Sequence, residues 1–232
     1  MKNFIESFIF KINKTLIVPT ILLLSIFFSC FMSWYFSYQK LSDDKEIITF
    51  YTYYNLLIEL FLAFLIGRYF QLEESANNYN KLLQIPNRSN WFFSVILCFI
   101  FILILSVIFS YSVFFIFGHT EINYITLITV VILTVLLNII YIPCFLYLAL
   151  RFNSNISIAL SFVLVPFIIY YGLNTPGEGI RQYIPFLYPF AALKAYFENN
   201  YLELFKLIGI YILALVGSLL IINKWYRNWD GN

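Results

Sequence analysis

The chain has 232 residues, of which 62% are hydrophobic and only 11% charged, with a net charge of +2. A typical globular domain is about 25% charged, and a soluble fold of this size could not hide 27 Phe and 19 Tyr beside its aliphatic residues, so lipid must be the solvent for most of the surface. The small net charge argues against a nucleic-acid partner. The expected fold is all-α: a polytopic integral membrane protein with about six transmembrane helices, forming one transmembrane domain over residues 1–232.

Phe4, Ile5, Phe8, Ile9 and Ile12 fall on one helical arc, with Lys2, Glu6 and Asn13 opposite. That pattern predicts an N-terminal helix lying in the inner membrane interface. A helix needs roughly 20 apolar residues to cross the hydrocarbon core. No Asp, Glu, Lys or Arg lies between Lys14 and Lys40, Arg88 and Glu121, Glu121 and Arg151, or Arg151 and Glu178. With two further runs, one carrying Glu59 and one Lys206, these intervals predict spans near 15–38, 50–69, 91–117, 124–150, 156–173 and 204–222. The exit of the first run, Phe31-Met32-Ser33-Trp34-Tyr35, offers no small-x-small cleavage site, so the run is expected to stay as a span.

Between spans two and three, residues 68–88 are charged, with Leu72, Ala76, Tyr79 and Leu83 at helical spacing. A short amphipathic helix is expected there, broken by Pro86 before the third span. Pro143 and Pro166 are expected to kink spans four and five. The segment from Leu173 to Glu203 holds Pro176, Pro185 and Pro189 among many aromatics. It is too apolar for a free loop and too broken for a span, so short outer helices between spans five and six are expected.

An even number of spans puts both termini on one side. That side would hold Lys2, Lys11, Lys14, Arg68, Lys81, Arg88, Arg151, Lys224 and Arg227, against Lys40, Lys45, Arg181, Lys194 and Lys206 on the other. The excess favours cytoplasmic termini. Cys30, Cys98 and Cys144 sit singly inside predicted spans, and the one histidine, His119, lies in a short outer turn. Neither a metal site nor a disulfide framework is expected. The eight glycines are scattered and form no Gly-x-x-x-x-Gly-Lys-Ser/Thr phosphate loop. No cofactor and no catalytic residue are therefore expected in this chain.

The stretch Glu73-Glu74-Ser75-Ala76-Asn77-Asn78-Tyr79, followed by Leu82-Leu83 and Pro86-Asn87-Arg88, resembles the cytoplasmic loop of lantibiotic-immunity ABC transporter permeases. In that family an acidic pair, a small residue, Asn and an aromatic precede Leu-Leu, Pro and a basic residue. Six spans with short outer helices before the last also resemble the wider type-two ABC exporter superfamily, and the chain looks closer to the G-type than the E-type subunit. The resemblance implies an ABC ATPase dimer that hydrolyses ATP, and a second permease subunit or a homodimer. It further implies a bacterial cell membrane and a peptide antibiotic cleared from the producer's own bilayer. It makes Glu73, Glu74, Asn78, Pro86 and Arg88 the ATPase-coupling loop.

Within the membrane, Glu59 lies halfway along its predicted span. A carboxylate at that depth costs about 2.5–3.5 kcal/mol on insertion scales and normally faces protein or water. It is expected either to line a substrate pathway or meet a partner helix, or to be a protonated acid hydrogen-bonded to Asn55 or Asn138. Asn138 itself is expected to join helices.

Other classes are weighed by their chemistry. An intramembrane protease of the CAAX-processing type needs Glu-Glu-x-x-x-Arg and membrane histidines, but Glu73-Glu74 is followed at the Arg position by Asn78. A membrane protein with only a structural role, and an exporter permease for another toxin, lipid or drug, stay open on sequence grounds.

Overall fold

The computed structural model describes residues 2–13, 16–39, 43–77, 79–117, 123–173 and 183–230. Every regular element among them is helical: α1 (Lys2–Asn13), α2 (Ile17–Gln39), α3 (Asp43–Asn77), α4 (Asn80–Leu83), α5 (Arg88–Phe117), α6 (Tyr124–Asn138), α7 (Tyr141–Arg151), α8 (Ser154–Ile168), α9 (Tyr188–Phe197) and α10 (Tyr201–Arg227). A π turn, Ile169–Leu173, extends α8, and a 3-10 turn, Pro185–Leu187, leads into α9. Six stretches are long and apolar enough to span a bilayer: Ile17–Gln39, Asp44–Ser75, Arg88–Phe117, Tyr124–Arg151, Ser154–Gly172 and Tyr201–Arg227. The chain is an all-helical, multi-pass membrane protein, the architecture in which each segment satisfies its own backbone groups without water.

The second span corrects the expected boundaries most. It was expected over 50–69 with a separate amphipathic helix after it, but α3 runs unbroken for 35 residues, Asp43–Asn77. Gln71, Leu72, Glu73, Glu74 and Ser75 contain no breaker, and Leu, Gln and Glu favour helix in water as in lipid. Hydropathy marks where lipid ends, not where a helix ends. The helix breaks around Tyr79, which has φ 61°, an uncommon conformation for a bulky residue. Only α4 follows before Pro86.

Span four is interrupted at its middle: α6 and α7 are separated by Ile139 and Ile140, both of which keep helical dihedrals. Pro143 has no N–H for the Ile139 carbonyl, and its ring crowds that carbonyl. The Ile139 C=O instead accepts from the Ile142 N–H at 3.1 Å, and α6 ends at Asn138. In span five α8 runs through Pro166 to Ile168, and a π turn, Ile169–Leu173, follows it.

α3 lies at the centre: 56% of its most apolar stretch is buried, against 17% for α10. It packs on α8, α7, α2 and α6. Close approach to α8 rests on Gly67, where an added Cβ would come within 2.7 Å of the Ile158 side chain and 3.0 Å of the Ser154 carbonyl. α2 and α5 are joined by small hydroxyls, with Ser25 Oγ 2.9 Å from Ser106 and Ser29 Oγ 2.5 Å from Ser110. Tyr54 donates from α3 to the Ser106 carbonyl at 2.8 Å. Small residues at such a seam let backbones approach closely in lipid.

α1 is a helix, and Phe8 and Ile12 of its apolar arc are buried against protein. Phe8 is buried with its ring 4.9 Å from Tyr69 and 5.1 Å from Phe99. Ile9 and Phe10 face outward.

Candidate functional site

The residues singled out in the sequence separate into two regions. The first is a polar cluster in the apolar interior. Glu59 is 0% exposed, and neither carboxylate oxygen has a hydrogen-bond partner among the described residues. Asn55 lies one turn earlier on the same face of α3. It donates to the Tyr51 carbonyl at 2.7 Å and accepts from Asn138 Nδ2 at 2.5 Å. Asn138 Nδ2 also donates to the Thr134 carbonyl at 2.6 Å, while Asn138 Oδ1 has no donor. Asn138 thus joins α6 to α3, as expected, whereas the hydrogen bond expected between Glu59 and Asn55 or Asn138 is not formed. Tyr141 lies within electrostatic reach of Glu59.

The second region is the end of the bundle that holds both termini. Lys11 of α1 forms an ion pair with Glu73, whose side chain is 4% exposed. Glu74 accepts from the Tyr79 hydroxyl at 3.4 Å. Burial, together with that carboxylate, pushes the Tyr79 hydroxyl far above the ordinary phenol range, so it stays a donor at any accessible pH. Arg88 opens α5 and donates to the carbonyls of Leu83 at 3.1 Å, Arg227 at 3.2 Å and Trp229. The Trp229 ring packs on Tyr79 and Tyr226. Asn87 caps α5, accepting from the Asn90 N–H at 3.1 Å. Glu73, Glu74 and Arg88 are therefore engaged within the chain, and Leu72, Ser75, Gln84, Pro86 and Asn87 are exposed among the described residues of the connector. Asn78 lies outside the described residues, as does His119.

Lys11 and Trp229 could not have been picked out as partners from the sequence. Both contacts join residues more than sixty positions apart, and no local periodicity reports such a pairing. A third feature was also missed. At the opposite end, Ile48 and Thr52 of α3, Gly172 of the π turn and Phe190, Leu193 and Phe197 of α9 line an open pocket of about 340 Å³. Lys194 and Glu198, 3.9 Å apart, stand at its edge. The pocket combines an apolar wall with one charge of each sign, a surface suited to an amphipathic chain.

Among the described residues, no group of three or more His, Cys, Asp or Glu side chains is placed to hold a metal ion. The cysteines are unpaired. No protein-family model, curated protein or solved structure matches this chain.

Proposed function

We propose that this chain is the permease subunit of an ABC exporter that removes a lantibiotic-type peptide from the producer's bacterial cell membrane and so confers self-immunity. ATP is hydrolysed on a separate ATPase dimer, and the chain works with a second permease subunit or a second copy of itself. Both termini and the connector between spans two and three lie in the cytoplasm. α1 rests along the inner interface with Ile9 and Phe10 toward lipid, and the turn and helix over 185–197 lie at the outer face.

The observation that carries the proposal is α3. It is one continuous helix of 35 residues, about 52 Å long at 1.5 Å per residue. One end bears the acidic connector that resembles the family's coupling loop, and the other end walls the pocket beside α9. A partner that pushed on the connector would move a rod rather than a flexible loop. Such a push tilts α3 against α7 and α8 and alters the pocket, the kind of rigid rearrangement that exchanges two transporter states.

The exposed connector positions provide the test. In its native host, the tagged chain should co-purify an ABC-type ATPase, and its presence should protect cells from a lantibiotic. Ser75→Arg combined with Gln84→Arg should reduce both ATPase recovery and protection at equal membrane levels. Glu198→Arg, at the other end, should leave ATPase recovery unchanged. Absence of any ATPase, or an inner double variant indistinguishable from the parent, would refute the docking role.

A further inference from the structure

The fourth span breaks next to the buried carboxylate of the second. α6 ends at Asn138, and Ile139 and Ile140 keep helical dihedrals on the way into α7, so the ladder of hydrogen bonds is interrupted there without unwinding. Interruptions in membrane helices are places where polar groups can hold ions. Among the described residues three side-chain oxygens on these elements have no donor: both of Glu59 on α3, one turn beyond the Asn55 that Asn138 bonds, and Oδ1 of Asn138 on α6. The neighbouring donors are committed elsewhere. Asn138 Nδ2 serves Asn55 and Thr134, Asn55 Nδ2 serves Tyr51, the Tyr51 hydroxyl serves the Pro189 carbonyl at 3.1 Å, and the Tyr141 hydroxyl serves the Phe186 carbonyl at 3.2 Å.

Among the described residues no cation neutralises the carboxylate either. Lys45 and Arg68 are the nearest basic residues along α3, each more than two helical turns from Glu59. The elements packed on α3 bring none to its depth. α8 carries no titratable residue, α6 only Tyr124 at its far start, and α7 has Tyr141, Cys144 and Tyr147 before Arg151 at its end. α5 offers Tyr111, bonded to Thr134, and Cys98, with Arg88 at its start engaged by the carbonyls of Leu83, Arg227 and Trp229; α2 offers Cys30, Tyr35 and Tyr38; and α9 offers Tyr188, Lys194 and Tyr196 at the pocket end. A buried charge without a partner is expensive. Oxygens that meet neither a donor nor a cation among the described residues are suited to a positive charge brought from elsewhere.

We propose that Glu59 and Asn138 form an intramembrane binding site for one small monovalent cation, a proton or a sodium ion, at the break in the fourth span. Glu59 supplies the charge, and Asn138 Oδ1 and the end of α6 supply neutral oxygen. The site sits where α3, α6 and α7 meet, so loading it favours the arrangement in which these helices are closed around it. It stands apart from the exporter reading, because it concerns the isolated chain and needs no ATPase.

The purified full chain in lipid nanodiscs decides between the two sources and against both. In the sodium arm, radiolabelled sodium binds one per chain. Binding is lost in Glu59→Gln and weakened about tenfold in Asn138→Ala, as expected when an oxygen partner of a held metal ion is removed. In the proton arm, difference infrared spectra show a protonated carboxylic C=O band absent from Glu59→Gln, and the band fades reversibly as pH is raised. Sodium binding, or a Glu59 band whose fading pH moves in Asn138→Ala, supports the site; a band unmoved by Asn138→Ala shows only a buried protonated acid and overturns it. If sodium does not bind and the Glu59 band is absent, or fixed at every pH tested, the site does not exist. Glu59→Gln keeps the size of the side chain, and its unfolding temperature without sodium separates lost binding from lost folding.

Discussion

The hydroxyl of Tyr211 in the last span accepts the main-chain N–H of Ile140 at 2.9 Å. The break in span four leaves that N–H without a helical acceptor, and α10 supplies one from 71 residues away. Tyr211→Phe should therefore strand a buried donor. Such a loss costs about 1–3 kcal/mol, read as a lower unfolding temperature in detergent or nanodiscs. An unchanged temperature would mean that the Ile140 N–H finds another acceptor.

The Lys11–Glu73 pair is asymmetric, because the Lys11 side chain is 35% exposed and that of Glu73 only 4%. Glu73→Gln releases a lysine that can rehydrate. Lys11→Met leaves a carboxylate buried without its cation, which is the costlier half of such a pair. Lys11→Met should lower stability more and expose α1 to protease sooner. Equal effects from the two substitutions would show that Glu73 reaches water when its partner is gone.

The seam between α2 and α5 should tolerate the loss of a hydroxyl better than added bulk. Ser25→Ala and Ser29→Ala remove hydrogen bonds that average about 0.6 kcal/mol in membranes. Ser29→Leu forces the helices apart, and overpacking of this kind costs about 1–3 kcal/mol. Phe27→Leu, on the exposed face of α2, should be neutral. Denaturation in mixed micelles ranks the four variants, and a Ser29→Leu value no worse than that of Ser29→Ala would remove the seam as a packing constraint.

Gly67 should be intolerant for the same reason. Gly67→Leu pushes a side chain into Ile158 and the Ser154 carbonyl, so α3 and α8 must separate. The expected result is loss of folded protein from the membrane, with partial rescue by Ile158→Ala. Gly217, which has nothing within 4 Å of an added Cβ, should accept Ala without loss.

Sidedness is open to labelling. With Cys30, Cys98 and Cys144 replaced, Ser75→Cys should react only with reagent that enters the cytoplasm, and Glu198→Cys should react from outside. Reversed labelling would overturn the orientation drawn from the basic residues.

Six spans and an all-helical fold were legible from hydropathy, because each residue's preference for lipid is a local property that sums along the chain. That Asn138 would join helices was legible too, because a polar side chain inside an apolar run is driven to face protein. Helix ends were less so: α3 passes its predicted end by two turns because helix propensity, not hydropathy, governs Gln71 to Ser75. Pro143 marked a disturbance in span four, but not that the helix would divide or that Tyr211 would serve the freed N–H. Glu73 and Arg88 read as coupling-loop residues through the resemblance, and nothing local in the sequence named their partners. Only the tertiary structure brings Lys11 to one and the C-terminal carbonyls to the other. Composition and periodicity decide which solvent each segment prefers. Which acceptor meets which donor across dozens of residues is decided by packing, where a hydrogen-bond partner must arrive within about 3 Å.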